Sequence, residues 1–199
     1  PMRWAQTSLG FVSAYVLVRG NEAAVVDTGT AGSVDAIGST LATLGVTFDD
    51  VRHVILTHHH PDHIGSLPDV LGVASGARAY AGAADVANIT GVDGLTAVDD
   101  GDDVFGLQVI ATPGHTLGSI AVLDTGIGLL VVGDALNVDD GGTAVLGPNA
   151  GFTDDMTTAT ESVRRLATFE ASIDAIAFGH GQPVTAGAGE LLAELAASL

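Results

Sequence analysis

The chain has 199 residues, enough for one medium-sized domain with its own hydrophobic core. It has no cysteine and no lysine, and 24 acidic residues against 6 arginines give a formal net charge of −18. The lack of cysteine excludes disulfides, thiolate nucleophiles and cysteine metal ligands, and the negative charge argues against a nucleic-acid partner, which requires a basic surface.

The charge also predicts the environment of the protein. Self-repulsion at −18 destabilises a compact state unless salt screens it, so we expect a halophilic source; the alternative is an acidic mesophilic protein. No apolar run reaches the ~18 residues of a bilayer span, and residues 1–9 lack the pattern of a secretory signal. We therefore expect a soluble, cytoplasmic protein with no membrane partner.

The first half of the chain predicts strands joined by tight turns and short helices. Two strand-like runs, 11–20 and 23–29, are joined by a turn at Gly20 and Asn21. Apolar residues at helical spacing predict a helix over 33–45 that ends at Gly45. A β-branched run, 51–57, leads into the sequence HHHPDH, and a short helix is predicted over 62–72.

The second half repeats this order of strands before helices. Strands are predicted at 77–81, 107–113, 119–124, 128–134 and 173–180, and helices at 157–170, with a capping threonine or serine, and at 190–199. This order predicts an α+β sandwich, with helices outside two central sheets, in one domain spanning 1–199. The stretch 137–155 is rich in Asp and Gly and too long for a plain connection, so it is a candidate pocket loop.

The HHHPDH sequence is the main chemical signal. Side chains two apart on an extended backbone point to the same side, so His58 and His60 can share one ion. The proline then turns the chain, which brings Asp62 and His63 toward a second ion. Imidazole and carboxylate suit zinc, and they tolerate manganese or iron(II). The alternative is an exposed polar turn in which Asp62 only caps a helix.

Three further candidates, His115, Asp134 and His180, each follow an apolar run and lie beside glycine. Each alone is compatible with an ordinary polar residue at a strand end. Their value is joint, because ligands at the ends of several strands are how a scaffold assembles one site from distant segments.

In this order, HHHPDH, the Gly-His of TPGHTLGS, the Gly-Asp of VVGDALN and the Gly-His of FGHGQP resemble the motifs of the metallo-β-lactamase superfamily. The resemblance implies a four-layer αβ/βα sandwich. It also implies two metal ions, the first held by His58, His60 and His115 and the second by Asp62, His63 and His180. Asp134 is implied to bridge the two ions.

The early VVDTG resembles a further turn of the superfamily, and Asp27 within it is implied to orient the ligand loop rather than bind metal; an ordinary turn aspartate is the alternative. His53 and His59 match no ligand position, so we expect them beside the site or on the surface.

Two divalent ions can share a water, lower its pKa and hold it as hydroxide against a carbonyl. The sequence therefore predicts a binuclear hydrolase, with zinc as the first choice of metal, iron or manganese as alternatives, and Asp62 as the group that shuttles the proton. The predicted partner is a small-molecule substrate, and no oligomeric state is predicted.

The substrate prediction depends on Asp134. True β-lactamases of the superfamily usually carry cysteine or serine at the bridging position, so the chain is more similar to the glyoxalase II and lactonase branches. We expect a small ester, thioester or lactone as substrate, with β-lactam hydrolysis as the alternative. Glyoxalase II proteins also carry a further helical region and basic residues for glutathione, which makes glutathione specificity doubtful here. Alternatives of other classes are a persulfide dioxygenase with a single iron and a non-catalytic binding module.

The substrate pocket is predicted from the loop residues. Candidates in and near the loop are Asn137, Leu146, Asn149 and Phe152. Tyr15 and Tyr80 are weaker candidates as oxyanion donors, because a core or sheet role suits them better.

Overall fold

Two β-sheets organise the chain, one in residues 1–98 and one in residues 99–199, and each has its own helices and core. These observations come from a computed structural model that describes every residue from 1 to 199. Each unit is described by itself. None of the helices combines the length and hydropathy needed to span a bilayer.

The first unit is built on a six-stranded sheet whose strands follow chain order. The strands are β1 (Arg3–Ser8), β2 (Ser13–Arg19), β3 (Glu22–Val26), β4 (Val51–Leu56), β5 (Arg78–Gly82) and β6 (Thr96–Val98). The helices are α1 (Val34–Thr43), α2 (Pro61–Ile64) and α3 (Leu67–Val73). Strands β1 to β3 pair antiparallel, whereas β3 to β6 pair parallel. Each parallel pair needs a crossover, and α1 supplies the one between β3 and β4.

The core of this unit forms because α1 and the sheet present apolar side chains to each other. Ile37 and Leu41 of α1 are fully buried against residues of β2 to β5, among them Val16, Val25 and Val54. Each such aliphatic side chain contributes about 1.5–3 kcal/mol by leaving water. This packing fixes the sheet, and so it fixes the end of β4 from which the HHHPDH sequence departs.

The second unit contains a five-stranded sheet of order β13-β10-β9-β8-β7 and a two-stranded hairpin. The sheet strands are β7 (Asp103–Val104), β8 (Leu107–Ala111), β9 (Ile120–Asp124), β10 (Leu129–Gly133) and β13 (Ala175–Phe178). The hairpin consists of β11 (Asn137–Val138) and β12 (Val145–Leu146), and the helices are α4 (Met156–Ala167) and α5 (Ala188–Ser198).

Strand direction in this sheet decides where side chains meet. Strands β8 and β10 both run antiparallel to β9, and β13 runs parallel to β10. The carboxyl ends of β8, β10 and β13 therefore lie along one edge of the sheet.

Most predicted strands and helices are confirmed, and the differences have local causes. The helix predicted over 62–72 is two helices, because Pro68 has no N–H to bond one turn back and the helix must restart at Leu67. Helix α4 is capped by Asp155, whose side chain accepts from the Thr158 N–H, and not by threonine or serine. Strand β1 was not predicted, and part of the 137–155 loop is the β11–β12 hairpin.

Candidate metal centre

The first group of candidate ligands lies directly after β4, where the chain leaves the sheet and enters α2. His58 and His63 are buried, with 1% and 0% of their surface exposed, and their rings lie 4.1 Å apart between centroids. The ring of His60 lies 4.7 Å from that of His58 in an edge-on arrangement. His58 and His60 bring ligand nitrogens within 4.8 Å of each other.

The first turn of α2 positions the next two candidates. Asp62 Oδ2 lies 3.6 Å from Nε2 of His63, and its side chain is 27% exposed. Ligands bound to one tetrahedral zinc at 2.0–2.1 Å are separated by roughly 3.3 Å, so this spacing is close to that of two groups sharing an ion. Asp62 and His63 are therefore spaced so that both could bind one ion, and Asp62 stays accessible to solvent.

Asp27, which directly follows β3, links Thr57 and His63 through hydrogen bonds. Its Oδ1 accepts from the Thr57 N–H at 2.8 Å, and its Oδ2 accepts from the Thr57 hydroxyl at 2.7 Å and from Nδ1 of His63 at 2.8 Å. Asp27 is 2% exposed and has a left-handed φ of 59°, a conformation that Asp tolerates better than most residues. Three charge-assisted hydrogen bonds offset the cost of burying this carboxylate.

The hydrogen-bond chain assigns the protons of two imidazoles. A carboxylate only accepts, so Nδ1 of His63 carries a proton, and in the neutral imidazole Nε2 keeps a lone pair. The single hydroxyl proton of Thr57 is directed to Asp27, so the Thr57 oxygen accepts from Nδ1 of His58, 3.0 Å away. Both His58 and His63 then present Nε2 as the metal-binding atom. Asp27 was predicted to orient the ligand loop, whereas Thr57 was missed.

The second group of candidate ligands follows the three strands that share a direction in residues 99–199. Asp134 comes directly after β10, His180 follows β13, and His115 follows β8. Asp134 Oδ2 lies 3.2 Å from Nε2 of His180 and 3.5 Å from Nε2 of His115. One carboxylate oxygen therefore faces two imidazoles at the spacing expected of ligands that share a metal ion.

Gly114 allows His115 to reach its place. Its φ is 130°, and a Cβ there would lie 2.2 Å from the backbone nitrogen of Ala159 in α4. Only glycine combines this backbone angle with so close an approach of the helix. The glycine of the Gly-His pair is therefore required by the packing of α4, independently of any ligand.

Gly65, at the end of α2 in the first unit, must be glycine because of close packing alone and not because of its backbone angle. A Cβ on Gly65 would lie 2.6 Å from the backbone nitrogen of Ala31, although the φ of Gly65 is an ordinary −60°. The end of α2 thus packs directly on the backbone that follows Asp27, and the Gly65 N–H donates to the Gly29 carbonyl at 2.8 Å.

The two remaining histidines take no place among these ligands. His53 lies on β4, where Nδ1 is 3.2 Å from the Tyr80 hydroxyl, and burial lowers the pKa of this imidazole. His59 is held through its backbone, whose N–H donates to the buried carboxylate of Asp85 at 3.0 Å. Asp85 thereby fixes the ligand loop between His58 and His60, a role that the sequence did not indicate.

The predicted pocket loop, 137–155, contributes to a pocket at its start and carries an exposed apolar side chain, Phe152, near its end. A pocket of about 310 Å³ beside His180 is lined by Asn137, the turn 139–142 and Gln182. Leu117 and Phe152 are 75% and 70% exposed. Tyr15, by contrast, is a core residue beside Trp4.

Comparisons with known proteins identify the family to which the chain belongs. The model of the metallo-β-lactamase superfamily matches residues 7–180, a range that includes Asp27 and all seven candidate ligands. The chain therefore belongs to the metallo-β-lactamase superfamily. A metallo-β-lactamase family protein of Thermus thermophilus superposes with a TM-score of 0.74 at 25% identity, covering 99% of this chain and 78% of that one. The predicted metallo-β-lactamase fold is thus confirmed.

Curated relatives are similar over shorter stretches. The uncharacterized protein YobT of Bacillus subtilis (strain 168) is 30% identical over 158 residues, which is 68% of this chain and 66% of that protein. A hydroxyacylglutathione hydrolase of Rhodobacter capsulatus is 42% identical over 91 residues, which is 43% of this chain and 34% of that enzyme. The chain thus matches about a third of the length of that hydrolase and just under two thirds of YobT.

Proposed function

We propose that this chain is a metal-dependent hydrolase with two divalent ions, zinc being the first choice. The first ion would be held by His58, His60 and His115, and the second by Asp62, His63 and His180. Asp134 would bridge them. The observation that carries the proposal is the position of Asp134 Oδ2, 3.5 Å from His115 and 3.2 Å from His180.

The donor set fits zinc. It consists of imidazole nitrogens and carboxylate oxygens, and the protons assigned to His58 and His63 leave Nε2 of each as a lone-pair donor. Iron(II) and manganese suit the same donors less specifically. When bound, the two ions would supply a water activated for attack at neutral pH and would neutralise the negative charge that develops on the substrate.

Asp62 is the residue proposed to move the proton. Its side chain is 27% exposed, whereas that of His63 is fully buried, and its Oδ2 lies 3.6 Å from Nε2 of His63. A carboxylate at this place can take the proton that the attacking water loses and deliver it to the leaving group. Asp62 would therefore act both as ligand and as general acid and base.

The proposed substrate is a small ester, thioester or lactone with an apolar acyl group. The name of the Rhodobacter relative favours a thioester among these. Two exposed apolar side chains lie close in sequence to His115 and its partner Thr153: Leu117 is two residues beyond His115, and Phe152 precedes Thr153. These two side chains favour a substrate whose acyl group is apolar and lies beside His115.

The pocket beside His180 has the opposite character. Asp139, Asp140 and the amides of Asn137 and Gln182 line it, so it favours a neutral or cationic leaving group. Glutathione carries net negative charge, and we expect the chain to prefer a thioester of a neutral thiol.

The test is a panel of substrates that share one acyl group. The zinc-loaded protein, in about 2 M KCl to screen self-repulsion, is given the thioester of a neutral thiol, the glutathione thioester and a lactone, with nitrocefin as the β-lactam. We expect hydrolysis of the neutral thioester to exceed that of the glutathione thioester, with little turnover of nitrocefin. His60→Ala should lower kcat/KM more than about 100-fold by removing a ligand, whereas His53→Ala on β4, the strand that precedes the ligands, serves as the matched control.

Metal analysis completes the experiment. Two zinc ions per chain are expected after loading. One iron per chain, together with oxygen uptake on a persulfide, would overturn the hydrolase proposal in favour of a dioxygenase, and full activity of His60→Ala would overturn the ligand assignment.

A further inference from the structure

Thr153 lies in a tight turn that is built around Asn149. The Asn149 carbonyl accepts from the Thr153 hydroxyl at 2.8 Å and from the Phe152 N–H at 3.1 Å, and its side-chain oxygen accepts from the Gly151 N–H at 2.9 Å. These bonds order the turn 149–153. The same Thr153 hydroxyl oxygen lies 3.2 Å from Nδ1 of His115.

The chemistry of the three groups fixes where the protons lie. A hydroxyl has one proton, and a carbonyl can only accept, so the proton of Thr153 is directed to Asn149. The Thr153 oxygen then presents a lone pair to His115, and Nδ1 of His115 donates to it. The proton on Nδ1 leaves a lone pair on Nε2, which is the nitrogen 3.5 Å from Asp134 Oδ2.

The backbone of the same segment fixes the distance between the two groups. The Asp154 N–H donates to the His115 carbonyl at 3.2 Å, and the Asp155 N–H donates to the Gly114 carbonyl at 2.9 Å. His115 is 1% exposed, so water does not compete for its Nδ1. The turn and the imidazole are therefore held against each other by main chain and side chain together.

We propose that Thr153 is a positioning residue that sets the tautomer and ring orientation of His115. The proposal rests on the proposed function, in which His115 binds the first ion, and it adds a residue from the pocket loop to the support of the metal centre. In the wrong tautomer, Nε2 of His115 carries a proton and cannot bind metal. Because Phe152 is part of the same turn, the segment that presents an apolar side chain also supports a ligand.

A pair of substitutions separates positioning from packing. Thr153→Val keeps the shape and removes the hydroxyl, whereas Thr153→Ser keeps the hydroxyl and loses a methyl group. Thr43→Val is the matched control, since Thr43 also donates to a backbone carbonyl, that of Thr40, at the end of α1.

The first measurement is the tautomer of His115 in the metal-free protein, from its imidazole ¹⁵N shifts, assigned with His115→Gln. All variants in this measurement also carry Asp134→Ala, because the Asp134 carboxylate 3.5 Å from Nε2 would otherwise favour a proton on that nitrogen in the metal-free protein. In this background, the otherwise wild-type protein, Thr153→Ser and Thr43→Val should show the Nδ1–H form, and Thr153→Val should show a mixture of the two forms. An unchanged Nδ1–H signal in Thr153→Val would overturn the proposal whether or not the chain binds metal.

The second measurement is zinc binding in competition with a chromophoric chelator. Thr153→Val should bind one of two zinc ions 10–100-fold more weakly, the usual effect of removing an outer hydrogen bond from a ligand, and Thr153→Ser should stay near wild type. Equal losses in Val and Ser would show a packing role and overturn the proposal. If wild type binds no zinc while the tautomer shift is seen, the proposed function fails and the positioning of His115 by Thr153 stands.

Discussion

Asp27 shows how one carboxylate can control two imidazoles. Its Oδ2 accepts hydrogen bonds from both Thr57 and His63, and the Thr57 hydroxyl oxygen in turn accepts one from His58. The tautomers of two candidate ligands therefore depend on the same oxygen being an acceptor. Replacing this one oxygen by a hydrogen-bond donor should therefore disturb both imidazoles.

Asp27→Asn is the corresponding prediction. In one orientation the amide NH2 faces the Thr57 N–H, and in the other it faces the Thr57 hydroxyl and Nδ1 of His63, so at least one hydrogen bond is lost either way. Where NH2 takes the place of Oδ2, His63 relieves the conflict by moving its proton to Nε2, which removes its ligand lone pair. We expect zinc affinity to fall about 10–100-fold and the free energy of unfolding of the metal-free protein to fall by about 1–3 kcal/mol. Chelator competition and urea unfolding measure the two effects.

Asp93→Asn removes the same charge at an exposed position and is the control. Thr57→Val removes the hydroxyl that contacts Asp27 and His58 but leaves the bond between Asp27 and His63, and it should therefore cost less than Asp27→Asn. An Asp27→Asn protein that binds two zinc ions as tightly as wild type would contradict this account.

Four of the seven candidate ligands could be predicted at this scale because their types and spacing are local. His58, His60, Asp62 and His63 lie at most five positions apart in the chain, and the period of an extended strand relates the first two. Thr57 and Thr153 could not be predicted, because threonine is common and each acquires its role from a partner elsewhere in the chain. The partners of their hydroxyl groups include Asp27, 30 residues before Thr57, and His115, 38 residues before Thr153.

At the scale of elements, helix α4 and the turn that carries His115 depend on each other. The Ser162 hydroxyl donates to the Pro113 carbonyl at 2.7 Å, and Gly114 lies directly against the backbone of Ala159. The helix thus presses on both residues that precede His115. A displacement of α4 would move this ligand without touching the ligand itself.

Gly114→Ala tests this coupling. The new methyl group would lie 2.2 Å from the Ala159 nitrogen at a φ of 130°, so overpacking and backbone strain act together. We expect a loss of roughly 3 kcal/mol or more in unfolding free energy, measured by urea unfolding, and weaker zinc binding. Gly142→Ala has a φ of 67° but nothing within 4 Å, and should lose only about 1–2 kcal/mol. Equal losses at the two positions would show that α4 does not constrain the turn.

Elements with strong periodic patterns were predicted, whereas those set by pairing were not. Helix α1 and strands β9 and β10 carry apolar patterns that are readable locally. Strand β1 is only partly buried and is ordered by its antiparallel partner β2, and the two-residue strands β11 and β12 are ordered by each other. Such pairing involves residues that a local pattern does not relate.

At the scale of the whole molecule, the excess of acidic side chains is the dominant property. Few arginines are available to pair with them; Arg165 forms one such pair, donating to both oxygens of Asp100 at 2.7 and 2.6 Å. Partial burial acts to raise the pKa of Asp100, but the hydrogen bonds from Arg165 and the Ala111 N–H, with the charge of Arg165, outweigh it and hold the pKa below its ordinary value. The halophilic source stays a prediction, and the physical consequence of the charge can be measured directly.

Salt should stabilise this protein, although it weakens individual ion pairs. Raising KCl from 0.1 to 2 M shortens the screening length from ~10 Å to below ~3 Å, which removes most of the repulsion among exposed carboxylates. Exposed pairs such as Arg165–Asp100 are worth only about 0.2–1 kcal/mol, so their loss is the smaller effect. Thermal unfolding of the metal-free protein should therefore show a Tm that rises with KCl.

The triple variant Asp49→Asn, Asp93→Asn, Glu194→Gln removes three exposed negative charges. It should start from a higher Tm at low salt and gain less from KCl. A Tm that is flat or falls between 0.1 and 2 M KCl would show that repulsion among these carboxylates does not limit the stability of the fold.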